Sequence, residues 1–149
     1  MINCFWDSSA LAKLYHIEDG SDQAALIFAD PEYLHFASDL SKVEIRHVLG
    51  RHFREGKLEK RLMDVVIRRF SLDSLERIQF IGLNDDIINE AGSIALNYAV
   101  KSLDALILAT LEEFRHSSQR TIFISSDSKQ IKLAEELGYE VTSPSDRKK

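Results

Sequence analysis

The sequence predicts a three-layer α/β/α fold around a central, mainly parallel sheet, with an αα-hairpin arm. Short apolar runs of strand length alternate along the chain with stretches of helical periodicity. Helical stretches between successive strands imply right-handed crossovers, which make a sheet parallel and cover both of its faces. The chain has 149 residues, 44% hydrophobic and 29% charged, which is ordinary globular usage and enough to bury a core without staples. The expectation is a single domain over 1–149, with its core over about 2–142 and a frayed tail over 143–149.

Each element has its own signal. Ile2–Trp6 is an apolar run of strand length, and Ser8–His16 follows with Leu11, Leu14 and Tyr15 at helical spacing. Ser21–Ala29 reads as a second helix, ended by Asp30-Pro31, and Tyr33–Ala37 as a strand. Ser38-Asp39 offers an N-cap to a helix reaching about Glu55, with Leu40, Val43, Val48 and Phe53 on its apolar face. Gly56 stands where a C-terminal cap belongs. Leu58–Phe70 is the next helix, with Leu62, Val65, Val66 and Phe70 inward, and these two helices form the arm. Ile78–Ile81 is a strand. Asn84 or Asp85 caps a helix to about Tyr98, and another covers Ser102–Phe114. Thr121–Ile124 is the clearest strand, Ser128–Leu137 is a helix stopped by Gly138, and Tyr139–Val141 is the last strand.

Composition narrows the function. A lone cysteine, Cys4, excludes an internal disulfide framework and a cysteine-based zinc site. No apolar run reaches the roughly 18 residues of a membrane span. The first strand begins at once, so no signal peptide is expected and the protein is expected to be cytoplasmic. Net charge is −5, which argues mildly against nucleic-acid binding, but the charge is uneven. Residues 46–69 hold eight bases against three acids, leaving eleven bases against twenty-one acids elsewhere. One basic arm therefore sits on an acidic body.

Four acids stand out. Asp7 follows the first strand, and Asp127 follows the Ile122–Ile124 run after Ser125-Ser126. Ligands in open α/β sheets bind outside the carboxyl ends of strands, so these two are placed to meet. Capping the helix that follows is the bland alternative for either one. Asp104 lies in an apolar stretch, Leu103-Asp104-Ala105-Leu106-Ile107-Leu108, with no cation one turn downstream. It is paired, protonated or bound to metal if buried, or favoured by the helix dipole if it lies in a first turn. Glu44 alone reads as a surface residue. Together the four make an oxygen-only donor set suited to Mg²⁺ or Mn²⁺. Clustered carboxylates raise one another's pKa values unless a cation neutralises them. The five His residues show no paired geometry and receive no catalytic role, and Trp6 reads as core.

At these residues the sequence resembles the PIN-domain ribonucleases, most closely the VapC-type toxins of toxin–antitoxin pairs. Asp7-Ser8-Ser9-Ala10-Leu11 resembles the opening Asp-Ser/Thr-Ser/Thr motif. Ser38-x-x-Ser41-x-x-Glu44 resembles the helix with the acidic Glu, and Ser102–Ala109 the "DA-hydrophobic-LA" helix. Ser125-Ser126-Asp127 and Leu137–Val141 resemble the closing Thr-x-Asp and its final strand. Ser125 replaces the usual Thr, and Ile107 stands where His is frequent.

The resemblance implies a PIN-like fold and a metal-dependent endoribonuclease using Mg²⁺ or Mn²⁺, with Asp7, Glu44, Asp104 and Asp127 as its acids. Asp7 and Asp104 are expected to touch the metal most directly, with Asp127 and Glu44 completing the shell directly or through water. Ser9 and Ser125 are expected to orient carboxylates or to serve as caps. Arg46, Arg51 and Arg54 share the helix of Glu44 and are the RNA-contact candidates; a solvated face is the alternative. The resemblance alone further implies a homodimer and a cognate antitoxin. Two other classes stay open: a phosphoacceptor or phosphatase α/β domain, and a non-catalytic PIN-like binding module.

Overall fold

The computed structural model describes residues 1–115 and 119–145. Strands β1 (Ile2–Trp6), β2 (Tyr33–Ser38), β3 (Ile78–Ile81), β4 (Thr121–Ile124) and β5 (Glu140–Thr142) pair in the order β3-β2-β1-β4-β5. Every pairing is parallel. The helices are α1 (Ser8–Leu11), α2 (Ser21–Ala29), α3 (Leu40–Arg54), α4 (Lys60–Glu76), α5 (Asp85–Asn97), α6 (Ser102–Phe114) and α7 (Ser128–Glu136).

Alternate side chains of the central strands feed two cores. Cys4 and Trp6 of β1, with Ile122 and Ile124 of β4, pack against α1, α2, α3 and α4. Phe5 and Phe123 point the other way, into α5, α6 and α7. A period of two in strands buried on both faces thus yields the three layers. The register aligns Trp6 with both Ala37 and Ile124, so β1 and β4 end level and β2 runs one residue further. From β1 the chain builds β2 and β3 to one side, then returns to place β4 on the other. The β1/β4 edge is therefore the topological switch point, the usual ligand position in such sheets.

Trp6 is fully buried and belongs to the core. Its indole N–H donates to Nδ1 of His35 at 3.1 Å, and His35 Nε2 lies 3.1 Å from the Phe28 carbonyl. An indole only donates, so His35 is neutral with its proton on Nε2. Burial agrees, pushing the His35 pKa down to about 4.

The structure corrects several local expectations. The first helix is short: α1 passes at Leu11 into a 3-10 turn over Ala12–Leu14. Asn84 caps α5, accepting from the Ile87 amide at 2.8 Å, but Asp39 makes no capping bond to α3. Asp39 instead pairs with Lys42 at 3.0 Å, while Ser38 Oγ accepts from the Leu40 amide at 3.2 Å. In the arm, Val43, Phe53, Leu62 and Val65 are exposed rather than inward, and α3 buries Ser41, Ile45 and Leu49. Helix α4 continues past Phe70 to Glu76. Two histidines do pair: His16 and His52 stack with ring centroids 3.9 Å apart.

Pro144 is buried against Gly20, whose φ is +87° and whose added Cβ would meet the Pro144 carbonyl oxygen at 2.7 Å. Glycine serves there because it alone combines that φ with that approach. Residues 146–149 lie outside the described residues.

Candidate active site

Asp7 is the first residue beyond β1. Its amide donates to Ile124 O at 2.8 Å, which ties it to the end of β4. It occupies the N-cap position of α1, yet its side chain makes no capping bond. The carboxylate, only 5% exposed, is held by two hydroxyls instead. Ser9 Oγ and Ser125 Oγ each donate to Oδ2 at 2.8 Å. Burial pushes the Asp7 pKa up to about 6; the two serines oppose the rise, and the charges of Asp104 and Glu44 add to it.

The other acids arrive from three different elements. Glu44 projects from the second turn of α3 and accepts from Ser8 Oγ at 2.9 Å, while Ser8 Oγ lies 2.8 Å from buried Ser41 Oγ. Partial burial raises the Glu44 pKa; Ser8 opposes the rise, Asp104 adds to it and His47 opposes it. Asp104 sits in the first turn of α6, the dipole-favoured place. Its carboxylate has no hydrogen bond or ion pair among the described residues. Burial, then the charge of Asp127, raises its pKa, with Lys101 acting the other way. Asp127 does cap its helix: Oδ1 accepts from the Lys129 and Gln130 amides at 2.9 and 3.2 Å.

The four predicted acids therefore form one electrostatically linked set at the switch point, from Glu44 and Asp7 through Asp104 to Asp127. No Lys or Arg forms an ion pair with any of them among the described residues. No three His, Cys, Asp or Glu side chains there stand close enough to share one ion as they are. A hard cation that keeps several waters is typically held through one or two carboxylates and does not need three. The donor chemistry and the uncompensated charge both fit such an ion.

Ser125 does more than touch one acid. Its hydroxyl donates to Asp7 and accepts from the Asp127 amide at 3.2 Å, and Ser9 Oγ accepts from the Ser126 amide at 3.1 Å. Two serines thus lock the ends of β1 and β4 together. Ser8 and Ser41 went unremarked in the sequence as site residues, although both sit inside the quoted hydroxyl-and-acid motifs. Of the arm arginines, Arg46 donates to the Lys42 carbonyl at 2.8 Å and lies over the Phe70 ring. Arg51 and Arg54 are exposed.

The PIN domain family model matches residues 4–136, which include all four acids and both serines. The chain belongs to the PIN domain family. Solved structures agree on the PIN fold. A toxin–antitoxin complex from Klebsiella pneumoniae is 20% identical, with 96% of this chain and 98% of that one covered and a TM-score of 0.63. A VapC toxin from Mycobacterium tuberculosis, described as cleaving the sarcin–ricin loop, is 14% identical, with 91% and 95% covered and a TM-score of 0.67. A VapBC structure from nontypeable Haemophilus influenzae is 13% identical, with 97% and 98% covered and a TM-score of 0.62. No curated protein matches the chain. No helix among the described residues of this PIN domain is long and apolar enough to cross a membrane.

Ser125→Ala in this PIN domain is expected to lower activity about 10–100-fold, the usual loss when a group orienting a ligand is removed. Without the hydroxyl the Asp7 carboxylate loses a donor that favours its charged form, so the activity-against-pH curve shifts to higher pH. Ser125→Thr keeps both hydrogen bonds and should keep the wild-type profile. Initial rates across pH 5–9 read the difference.

Proposed function

We propose that the chain is a metal-dependent endoribonuclease, the toxin of a toxin–antitoxin pair, acting in the cytoplasm. One observation carries the reading: four carboxylates from four elements form one electrostatically linked set at the switch point, and none of them has a Lys or Arg ion-pair partner among the described residues. Asp7 and Asp104 would hold Mg²⁺ or Mn²⁺ directly, with Glu44 and Asp127 reaching it directly or through water. The bound ion supplies positive charge against the phosphodiester and its leaving oxygen.

The protein's own groups do the rest. Ser9 and Ser125 fix the Asp7 carboxylate through Oδ2, leaving Oδ1 without a hydrogen bond among the described residues, and Ser8 fixes Glu44. Asp127 spends Oδ1 on its helix, leaving Oδ2 to orient the attacking water. Water adds to phosphorus as the bond to the leaving oxygen breaks, the proton that the water loses ends on the leaving oxygen, and no covalent enzyme intermediate forms. Arg46, Arg51 and Arg54 would extend phosphate contacts along the arm. The strand order β3-β2-β1-β4-β5 differs from the 2-1-3-4-5 order of receiver domains, which counts against a receiver-type phosphoacceptor.

A cognate antitoxin and a second copy of the chain are the proposed protein partners. Support comes from similar structures that are toxin–antitoxin complexes. Leu62, Leu72 and Leu75 of α4 are more than half exposed, which is surface of the kind a protein partner covers.

The test is cleavage of mixed transfer and ribosomal RNA by purified protein in Mg²⁺ or Mn²⁺. Discrete cuts, lost in EDTA and in Asp104→Asn, are expected. Cuts that survive in both controls would remove the assignment.

A further inference from the structure

Beside the acids runs a groove of about 640 Å³, with Asp104 and Asp127 at one end. One wall is the α5–α6 connection, carrying Tyr98 and Lys101; the other is α7, carrying Lys129 and Lys132. Gln130, nearly fully buried, ties the walls together by donating from Nε2 to the Asp104 carbonyl at 3.1 Å. The two walls are thus joined next to the carboxylates.

Its lysines differ from the others. Seven lysines are described, and Lys13, Lys42, Lys57 and Lys60 each form an ion pair. The remaining three, Lys101, Lys129 and Lys132, have no ion-pair partner among the described residues, are exposed, and all line this groove. In a chain of net charge −5, the described lysines without an ion pair thus all stand in one place. Tyr98 adds an aromatic ring that is 39% exposed. Unpaired cations beside an exposed ring match a strand of phosphates with unstacked bases. Glu136, at the far end of the α7 wall, is the one groove acid outside the four-carboxylate set.

We infer that this groove carries the single-stranded RNA adjoining the cleaved bond, with Lys101, Lys129 and Lys132 on its phosphates and Tyr98 stacked on a base. The inference deepens the nuclease reading and rests on it for the position of the cleaved bond. It adds contacts on the Asp104 side of the site, opposite in sequence to the arm arginines.

Fluorescein-labelled twelve-residue oligouridylate, titrated in EDTA at several salt concentrations, tests it by anisotropy. Lys101→Ala/Lys129→Ala/Lys132→Ala should weaken binding at least tenfold and flatten the log–log salt slope by about 2, at roughly 0.7 per phosphate contact. The corresponding triple Lys→Arg variant should bind as wild type. Tyr98→Ala should weaken binding about fivefold or more, and Tyr98→Phe should not. RNA binding indifferent to these lysines, or lost only in Arg46→Ala/Arg51→Ala/Arg54→Ala, would overturn the groove while leaving a metal-dependent nuclease intact. Lysine- and Tyr98-dependent binding without metal-dependent cleavage would keep the groove and remove the nuclease. No binding by wild type overturns the groove. Equal affinity for polyglutamate, insensitive to Tyr98→Ala, overturns it in favour of an acidic protein segment.

Discussion

Asp7→Asn is expected to abolish metal-dependent RNA cleavage and, in EDTA at pH 7.5, to make the protein more stable. The two effects share one cause. The buried carboxylate sits among like charges, so folding raises its pKa from 3.8 to about 6. A group whose pKa rises on folding favours the fold fully below its unfolded value, near 4, and loses that contribution as pH climbs through about 6. At pH 7.5 the whole penalty is present, about 3 kcal/mol for a shift of about two pH units. The amide removes the charge, and the Ser9 and Ser125 hydroxyls can still donate to its oxygen. A Tm rise of up to about 10 °C is expected at pH 7.5, shrinking to nothing near pH 4. Activity moves the other way: loss of several kcal/mol of charge stabilisation corresponds to about a thousandfold or more in kcat/KM. Thermal melts in EDTA and initial cleavage rates check both halves. A variant that is less stable at pH 7.5, or that still cleaves, would contradict the account.

Trp6→Ala is expected to cost about 3–5 kcal/mol of stability, the range for emptying a large buried aromatic site. Trp6 is the last residue of β1, immediately before Asp7, and packs edge-on to Phe28. Truncation also leaves Nδ1 of His35 without its donor, adding about 1–3 kcal/mol for a stranded buried polar atom. Against a typical total of about 5–15 kcal/mol, that leaves a fold near its threshold. Trp6→Phe, which keeps most of the ring but loses the N–H, should cost less. Urea unfolding at pH 7 reads both; a loss under about 1 kcal/mol for Trp6→Ala would mean that the β1 core is looser than its packing implies.

Much of this was legible before the structure, and the reasons are specific. Strands such as Ile122-Phe123-Ile124 are buried on both faces, so they read as unbroken apolar runs. Asp7 and Asp127 were legible because each follows a strand, and Asp104 because it interrupts an apolar stretch; Glu44, inside a helix, was legible only through its resemblance to a hydroxyl-and-acid motif. Helix α4 beyond Phe70 was not, because Ser71, Asp73 and Ser74 look like a loop. In the fold, Ser71 and Ser74 bond back to the Ile67 and Phe70 carbonyls, while Asp73 accepts from Tyr15 at 2.8 Å. Those partners are set by tertiary structure. The arm's apolar faces were misread for a similar reason: α3 turns polar Ser41 inward, toward Ser8 and Glu44, and leaves Val43 68% exposed. The groove lysines were invisible singly, since an exposed lysine on a helix is ordinary. Their meaning comes from what they lack, an ion pair among the described residues, and from a neighbour about thirty positions away in the chain.

The central claim is that the carboxylate set at the switch point is a site for a divalent cation. Titration of Mn²⁺ into the protein at pH 7.5, followed by electron paramagnetic resonance of the free ion, tests it most directly. The account predicts saturable binding by wild type, lost in Asp7→Asn and Asp104→Asn and untouched by Glu59→Gln, an exposed acid at the start of α4. Absence of saturable binding, or binding that survives in both aspartate variants, would contradict it.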